Sequence, residues 1–320
     1  MKLYFAPMEG ITTYTYRNLH YKHYSGIEKY YSPFVSPGPN QGLSVKEIRD
    51  LLPENNPDIP LIPQLMTNRS VDFLKAAEVM RERGYRELNL NLGCPSGTVV
   101  SKRKGSGFLA YPDELNQFLE EIFSDKMLVD GEIELSIKTR AGKSSHDEWP
   151  RLMQIYNQYP MKELIIHPRV QQDLYNNTPN LEVFAQAVEE SKIPLVYNGD
   201  IFRMEEFLEF TKKFPQINRI MLGRGIIRNP ELAERILDFC GEAFDKDRFR
   251  QFHDALVEAY SDIMYGERPV LYKMKELWFY MISMFPNSEK FDKKIKKSNH
   301  LDEYRHIVDN LFAETDDVSV

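Results

Sequence analysis

Cys94 stands between Gly93 and Pro95, just past the run Leu88-Asn89-Leu90-Asn91-Leu92, and the chain continues into Ser101-Lys102-Arg103-Lys104-Gly105-Ser106-Gly107. A cysteine kept for packing sits inside an apolar run, so this one reads as an exposed functional thiol, able to hold or release a proton. The basic residues beside it are either a flexible solvated loop or an arm that meets a polyanion. Lys138 ends the run Glu134-Leu135-Ser136-Ile137-Lys138, where an ammonium suits an anionic or electron-rich ligand or else snorkels to water. His167 ends Leu164-Ile165-Ile166-His167 in the same way, as a ligand-facing group or a structural donor. Asn198-Gly199-Asp200 and Gly223-Arg224-Gly225 pair open backbone with a guanidinium. Each alone is also an ordinary tight turn, but two of them at successive strand ends favour a phosphate. No His or Cys pair has ligand spacing, so no metal is expected.

These residues need elements to hold them. Short β-branched or apolar runs recur with helical patterns between them, the mark of strand-helix units around a parallel sheet. Eight strands are expected, near Leu3 to Ala6, Glu28 to Tyr31, Leu61 to Gln64, Leu88 to Asn91, Glu134 to Lys138, Leu164 to His167, Leu195 to Asn198 and Arg219 to Leu222. That count makes the fold class α/β, a (β/α)8 TIM barrel followed by a small C-terminal helical domain, with ligands at the carboxyl ends of the strands. Leu88, Leu90 and Leu92 share one face and turn to the helices; Asn89 and Asn91 then turn inward, as do Ser136 and Lys138 on the fifth strand.

The helices carry their own signals. Pro112-Asp113-Glu114 opens one whose stripe is Leu115, Phe118, Leu119, Ile122 and Phe123. Basic residues and Gly84 close another over Arg81 to Gly84. Asn229-Pro230-Glu231 caps a third, with Leu232, Ala233, Ile236, Leu237 and Cys240 as its buried face and Gly241 at its end. From about 245 to 312 the spacing stays helical and strand signals vanish. The expected division is 1–241 for the barrel, 245–312 for the helical domain and 313–320 for a disordered tail.

The 320 residues allow a large domain and a smaller one. A net charge of −7 argues against indiscriminate coating of nucleic acid, yet leaves room for local basic patches such as Lys290-Phe291-Asp292-Lys293-Lys294-Ile295-Lys296-Lys297. With no signal peptide, and no run near the roughly 20 apolar residues that span a bilayer, a cytoplasmic protein without membrane contact is expected. The two cysteines, Cys94 and Cys240, are not expected to pair.

In order and spacing, Ala6-Pro7-Met8-Glu9-Gly10-Ile11-Thr12 with Arg17, Leu90-Asn91-Leu92-Gly93-Cys94-Pro95-Ser96, Ser136-Ile137-Lys138-Thr139-Arg140, Asn198-Gly199-Asp200-Ile201 and Leu222-Gly223-Arg224-Gly225 resemble the tRNA-dihydrouridine synthase family. The likeness runs from residue 1 to about 240, and the helical region takes the place of the family's RNA-binding domain. It implies an enzyme that reduces the C5=C6 double bond of a tRNA uridine through FMN, with NADPH or NADH as electron donor. It implies FMN contacts from Pro7, Met8, Glu9, Gln64, Lys138, His167, Asn198, Gly199, Asp200, Gly223 and Arg224, and a catalytic set of Cys94 as proton donor, Lys138 and His167. Asn91 and Arg17 would meet the substrate, and tRNA would dock on Lys102, Arg103, Lys104, Lys293, Lys294, Lys296 and Lys297 of a monomer. The chain departs from the family pattern at Thr13, at Pro168 and over Gln171 to Asn180, which lacks the usual Gly and Trp. Two alternatives stand beside this reading: an FMN barrel oxidoreductase acting on a free pyrimidine, and a non-catalytic RNA-binding protein.

Overall fold

The computed structural model describes residues 1–38, 43–238 and 244–315. Cys240, Gly241 and the tail beyond Thr315 therefore lie outside the described residues. The chain forms two compact units, the first made of Met1–Glu9, Glu28–Asp200 and Phe214–Met221, the second of Gly10–Ile27, Ile201–Lys213 and Leu222–Val320.

The first unit is built on a parallel sheet of β1 (Lys2–Phe5), β2 (Lys29–Tyr31), β3 (Leu61–Ile62), β4 (Gln64–Leu65), β5 (Glu87–Leu92), β6 (Glu134–Gly142), β7 (Leu164–Val170), β8 (Leu195–Tyr197) and β9 (Arg219–Leu222). Its order is β3-β2-β1-β9-β8-β7-β6-β5-β4. The two edges, β3 and β4, are separated in sequence by Pro63 alone, so the sheet runs round into a barrel with eight strand positions. The expected third strand is thus divided. Proline offers no amide to the ladder, and beyond it the amide of Gln64 bonds the Ser32 hydroxyl at 3.0 Å while the Pro63 carbonyl takes the Asn89 amide at 2.9 Å. Two strands also outrun their expected ends: β6 continues past Lys138 to Gly142, and β7 past His167 to Val170.

Alternation sorts the side chains as the sequence predicts. Leu88, Leu90 and Leu92 are fully buried, and helix Pro112–Phe123 buries Leu115, Phe118, Leu119 and Ile122. The barrel interior is filled by Tyr4, Ala6, Tyr31, Ile62, Ile165, Val196 and Met221. At the amino-terminal pole, ion pairs close the floor: Lys29 meets Glu87 at 2.9 Å and Glu163 at 3.0 Å, Lys162 meets Glu87 at 2.8 Å, and Arg219 meets Glu163 at 3.1 Å. The Tyr4 hydroxyl donates to Glu163 at 2.6 Å, and burial followed by that carboxylate pushes the phenol well above its ordinary range. Glu163→Gln should destabilise by about 2 kcal/mol, between an exposed pair and a fully buried one, because its cationic partners keep some solvent. Urea unfolding at pH 7 measures this.

In the second unit, helix Tyr14–His23 packs Tyr16 and Tyr24 edge-on against Phe252 of helix Lys246–Ile263, at centroid distances of 5.6 and 5.3 Å. Arg248 reaches back to the His23 carbonyl at 2.7 Å and to Glu234. Asn229 caps the amide of Glu231 at 3.0 Å ahead of helix Leu232–Asp238. There Leu232, Ala233 and Ile236 are buried, whereas Leu237, expected inside, is 37% exposed. Helix Glu289–Lys297 buries Phe291 and Ile295 and turns Lys293, Lys294, Lys296 and Lys297 outward.

Candidate active site

At the carboxyl ends of the strands in the first unit, a chain of amides crosses three strands. Gln64 donates to Asn89 at 2.7 Å, Asn89 donates to the Ser136 hydroxyl at 2.9 Å, and Asn91 donates to Gln64 at 2.7 Å. Register places Gln64 beside Asn89 and Asn91 beside Lys138. Gln64, expected to touch a cofactor, is buried, and its amide donates to Asn89 and accepts from Asn91, which orients Asn91 and leaves one N–H of Gln64 over. The Asn91 oxygen then accepts the amides of Gly93 and Cys94, both at 2.9 Å, and so turns the chain at the thiol.

That turn is held from every side. The carbonyl of Gly93 accepts from Arg140 Nε at 3.0 Å, that of Cys94 from the Ser106 hydroxyl at 2.7 Å and amide at 3.1 Å, and that of Pro95 from Gln171 Nε2 at 3.2 Å. Gly105 presses on it too, since a Cβ there would come 2.9 Å from the Cys94 carbonyl. The stretch Gly105–Ala110 is a short 3-10 helix whose first five residues are buried, so the glycines after the basic residues serve close packing. Lys102 and Arg103 remain exposed, Arg103 lying over Tyr111 at 4.3 Å, while Lys104 turns back to the Ser36 hydroxyl at 2.9 Å. Burial pushes the Cys94 thiol up; Glu9 adds to this, and the Ser96 backbone, Arg140 and Lys138 oppose it.

Lys138 is the unusual charge. Burial, with Arg140 adding to it, pulls the ammonium down to about 7, and it makes no hydrogen bond or ion pair with another described residue. Two residues on, Arg140 is buried and spends its remaining donors on the carbonyls of Val170 at 2.8 Å and Leu174 at 2.7 Å. His167, the register neighbour of Arg140, accepts from Arg169 at 3.0 Å through Nε2, which leaves the ring proton on Nδ1. Arg169 also grips Asp200 through two bonds, at 3.0 and 2.5 Å. The Asp200 carboxylate is therefore committed to a cation. Asn198 donates to the Met221 carbonyl at 2.8 Å, and Gly199 has no room for a side chain, since a Cβ would meet the Tyr197 hydroxyl at 2.0 Å.

A model of the dihydrouridine synthase family matches residues 4–315. The chain belongs to this family. Among its relatives, "Probable tRNA-dihydrouridine synthase" of Staphylococcus epidermidis is 25% identical over 244 residues, covering 72% of this chain and 70% of the relative. The "tRNA-dihydrouridine synthase B" of Pasteurella multocida is 26% identical over 231 residues, covering 72% and 67%. Two solved structures share the fold: histamine dehydrogenase from Rhizobium sp. 4-9 (TM-score 0.56, 10% identity, 81% of this chain and 48% of that one) and morphinone reductase in complex with tetrahydroNAD (TM-score 0.51, 12%, 78% and 90%).

Against the residues expected of a dihydrouridine synthase, the first unit brings together Gln64, Asn91, Cys94, Lys138, His167, Asn198, Gly199 and Asp200 at its strand ends, with Pro7, Met8 and Glu9 following β1. Arg17, expected to meet substrate, is buried in the second unit, where it donates to the Thr12 carbonyl at 2.6 Å. Gly223 there precedes the short helix Arg224–Arg228, and Arg224 lies over Phe202 at 5.3 Å. Arg140, Arg169 and Gln171 also belong to this rim, beyond the residues that the sequence marks. Alternation would have found the two arginines, because each stands two residues beyond an inward-facing one.

Among the described residues no helix is long and apolar enough to cross a membrane, and no cluster of His, Cys, Asp or Glu could hold a metal.

Proposed function

We propose that this protein reduces a uridine of tRNA to 5,6-dihydrouridine, using FMN and a nicotinamide electron donor. The observation that carries this reading is Lys138, a half-buried ammonium beside Arg140 without a counterion among the described residues, facing a rim on which a protonated thiol is held. Such a pocket fits an electron-rich isoalloxazine ring, whose negative charge on reduction an ammonium offsets. The chemistry FMN supplies when bound is hydride transfer, from the nicotinamide and then to carbon 6 of the uracil. Cys94 gives the proton to carbon 5, and the Asn91 carboxamide, whose oxygen holds the thiol's turn, leaves one N–H for the uracil. A uridine must leave its stack to reach this rim, and contacts to the RNA backbone offset that cost.

The test is direct. Purified protein should be yellow, and with NADPH or NADH it should convert unmodified tRNA to a product carrying two added hydrogens at one uridine, read by nuclease mapping and mass spectrometry. A protein that neither holds FMN nor alters tRNA would end the reading.

Lys138 provides a second readout. Between about 7 and the ordinary 10.5, the unfolded chain keeps a proton here that the folded chain has lost. This residue's contribution to stability therefore rises with pH across that window, and below about 7 the cost of burying the ammonium is present in full. An electron-rich ligand beside it restores the proton. Binding of FMN to apoprotein at pH 8 should take up a proton, seen by calorimetry in two buffers of different ionisation enthalpy, and Lys138→Met should abolish the uptake.

The exposed lysines of helix Glu289–Lys297 are proposed to meet the RNA backbone. Lys296 is shared with Asp292 at 2.6 Å, which leaves Lys293 and Lys297 as the better choices for charge reversal. Lys293→Glu with Lys297→Glu should weaken tRNA binding and reduce the slope of log K against log salt by about 2, one for each phosphate no longer neutralised. Unchanged affinity and slope would make this face merely solvated.

A further inference from the structure

We infer that Gln171 is a positioning residue for Cys94, and that the loop Gln171–Asn177 sets where the thiol sits. The inference rests on the reading of Cys94 as proton donor. Three successive carbonyls around the thiol are tied, those of Gly93 to Arg140 on β6, Cys94 to Ser106 and Pro95 to Gln171. The first two ties come from a strand and a buried 3-10 helix. Gln171 instead opens a loop with its own conformation.

That loop is shaped by what grips it. Arg140 holds the carbonyls of Val170 and Leu174, and Arg169 holds that of Asn177 at 2.5 Å. Asp173 accepts from the Val170 amide at 3.0 Å and from the Asn177 side chain at 2.6 Å. Leu174 sits at φ 52°, left-handed backbone that a leucine keeps only where its surroundings hold it there. Arg140 thus bonds both the carbonyl before Cys94 and the loop whose first residue bonds the carbonyl after it. Movement of the loop carries the Pro95 carbonyl with it and swings the thiol, while displacements on the order of 1 Å already matter for a proton transfer.

The test is the rate at which iodoacetamide alkylates Cys94 in the whole flavin-loaded protein, read on the Cys94 peptide by mass spectrometry so that Cys240 does not interfere. Gln171→Ala and the shorter Gln171→Asn should each speed alkylation about tenfold, the worth of one hydrogen bond in holding the turn closed. The pH midpoint should fall toward that of an ordinary cysteine, because exposure relieves the burial that raises it. Glu9, Lys138 and Arg140, the charged groups that face the thiol, are untouched by these changes. Gln171→Lys, which keeps a donor of sufficient reach but adds a charge that favours the thiolate, should restore slow alkylation when rates are compared at their limits above each variant's pH midpoint, and single-turnover uridine reduction should follow the same order with FMN content constant. Wild-type rate and midpoint in both shortened variants would overturn the proposal. So would equal acceleration in all three, which is general loosening. If Cys94→Ala left tRNA reduction intact, the proton-donor reading would fail instead, whatever the alkylation rates.

Discussion

Cys94→Ala is expected to lower the rate of uridine reduction by about 10² to 10⁴, the usual loss when a positioned acid is removed, while FMN content and nicotinamide oxidation stay near wild type. The separation follows from the geometry. The thiol is held by the backbone of its own turn, and Lys138 is carried independently on β6, so the truncation removes a proton without disturbing the ammonium. Burial raises the thiol pKa, so the acid form persists through neutral pH and is lost only as the pH rises through that raised value. The wild-type uridine step should therefore be flat near pH 7 and decline at higher pH, and the alanine variant should lack the decline. Cys94→Ser should also be slow, since a hydroxyl is a far weaker acid. Stopped-flow reoxidation of pre-reduced protein mixed with unmodified tRNA measures all three. Wild-type rates in both variants would place the proton source elsewhere.

Asp200→Ala should cost about 3 to 5 kcal/mol of stability, because it strands a guanidinium that the fold has removed from water. The Arg169 side chain is 2% exposed and gives Asp200 two parallel bonds, while its other donors go to His167 and Asn177. Replacing both partners by apolar residues, Arg169→Met with Asp200→Leu, should recover most of that loss, since no lone charge is then buried. Urea midpoints for the single and double variants decide the matter. Equal loss in both would mean that Arg169 matters through its grip on the loop rather than through its charge.

Much of this site could be read before any coordinates. The alternation of Leu88, Leu90 and Leu92 with Asn89 and Asn91 assigned the faces of β5, and the polar residues ending each apolar run marked the rim. What escaped has a common cause. Where apolar residues stop, the sequence carries no signal for more strand, yet β6 and β7 run on through Arg140 and Arg169, whose charges are buried because each finds backbone carbonyls or a carboxylate inside. A side chain's partners across the fold are not written in its neighbours. The same holds for the bonds of Gln64 to Asn89 and Asn91, for that of Arg17 to the Thr12 carbonyl, and for the close approach of Gly105, at φ 55°, to Cys94.

The pairing of helix Tyr14–His23 with helix Lys246–Ile263 also bears on how the chain is made. Arg248 and the His23 carbonyl it bonds are 225 residues apart, and Phe252, the cover of Tyr16 and Tyr24, follows shortly after. At ribosomal speeds of roughly 5–20 residues per second, the early helix waits on the order of ten seconds or longer for its partner. Throughout that wait its aromatic face is open to whatever else is in the tube or the cell. Chains halted near Asp245 should accordingly be recovered bound to holdase chaperones or in the pellet, and adding back the missing helices as a separate peptide should bring a fraction of them into solution.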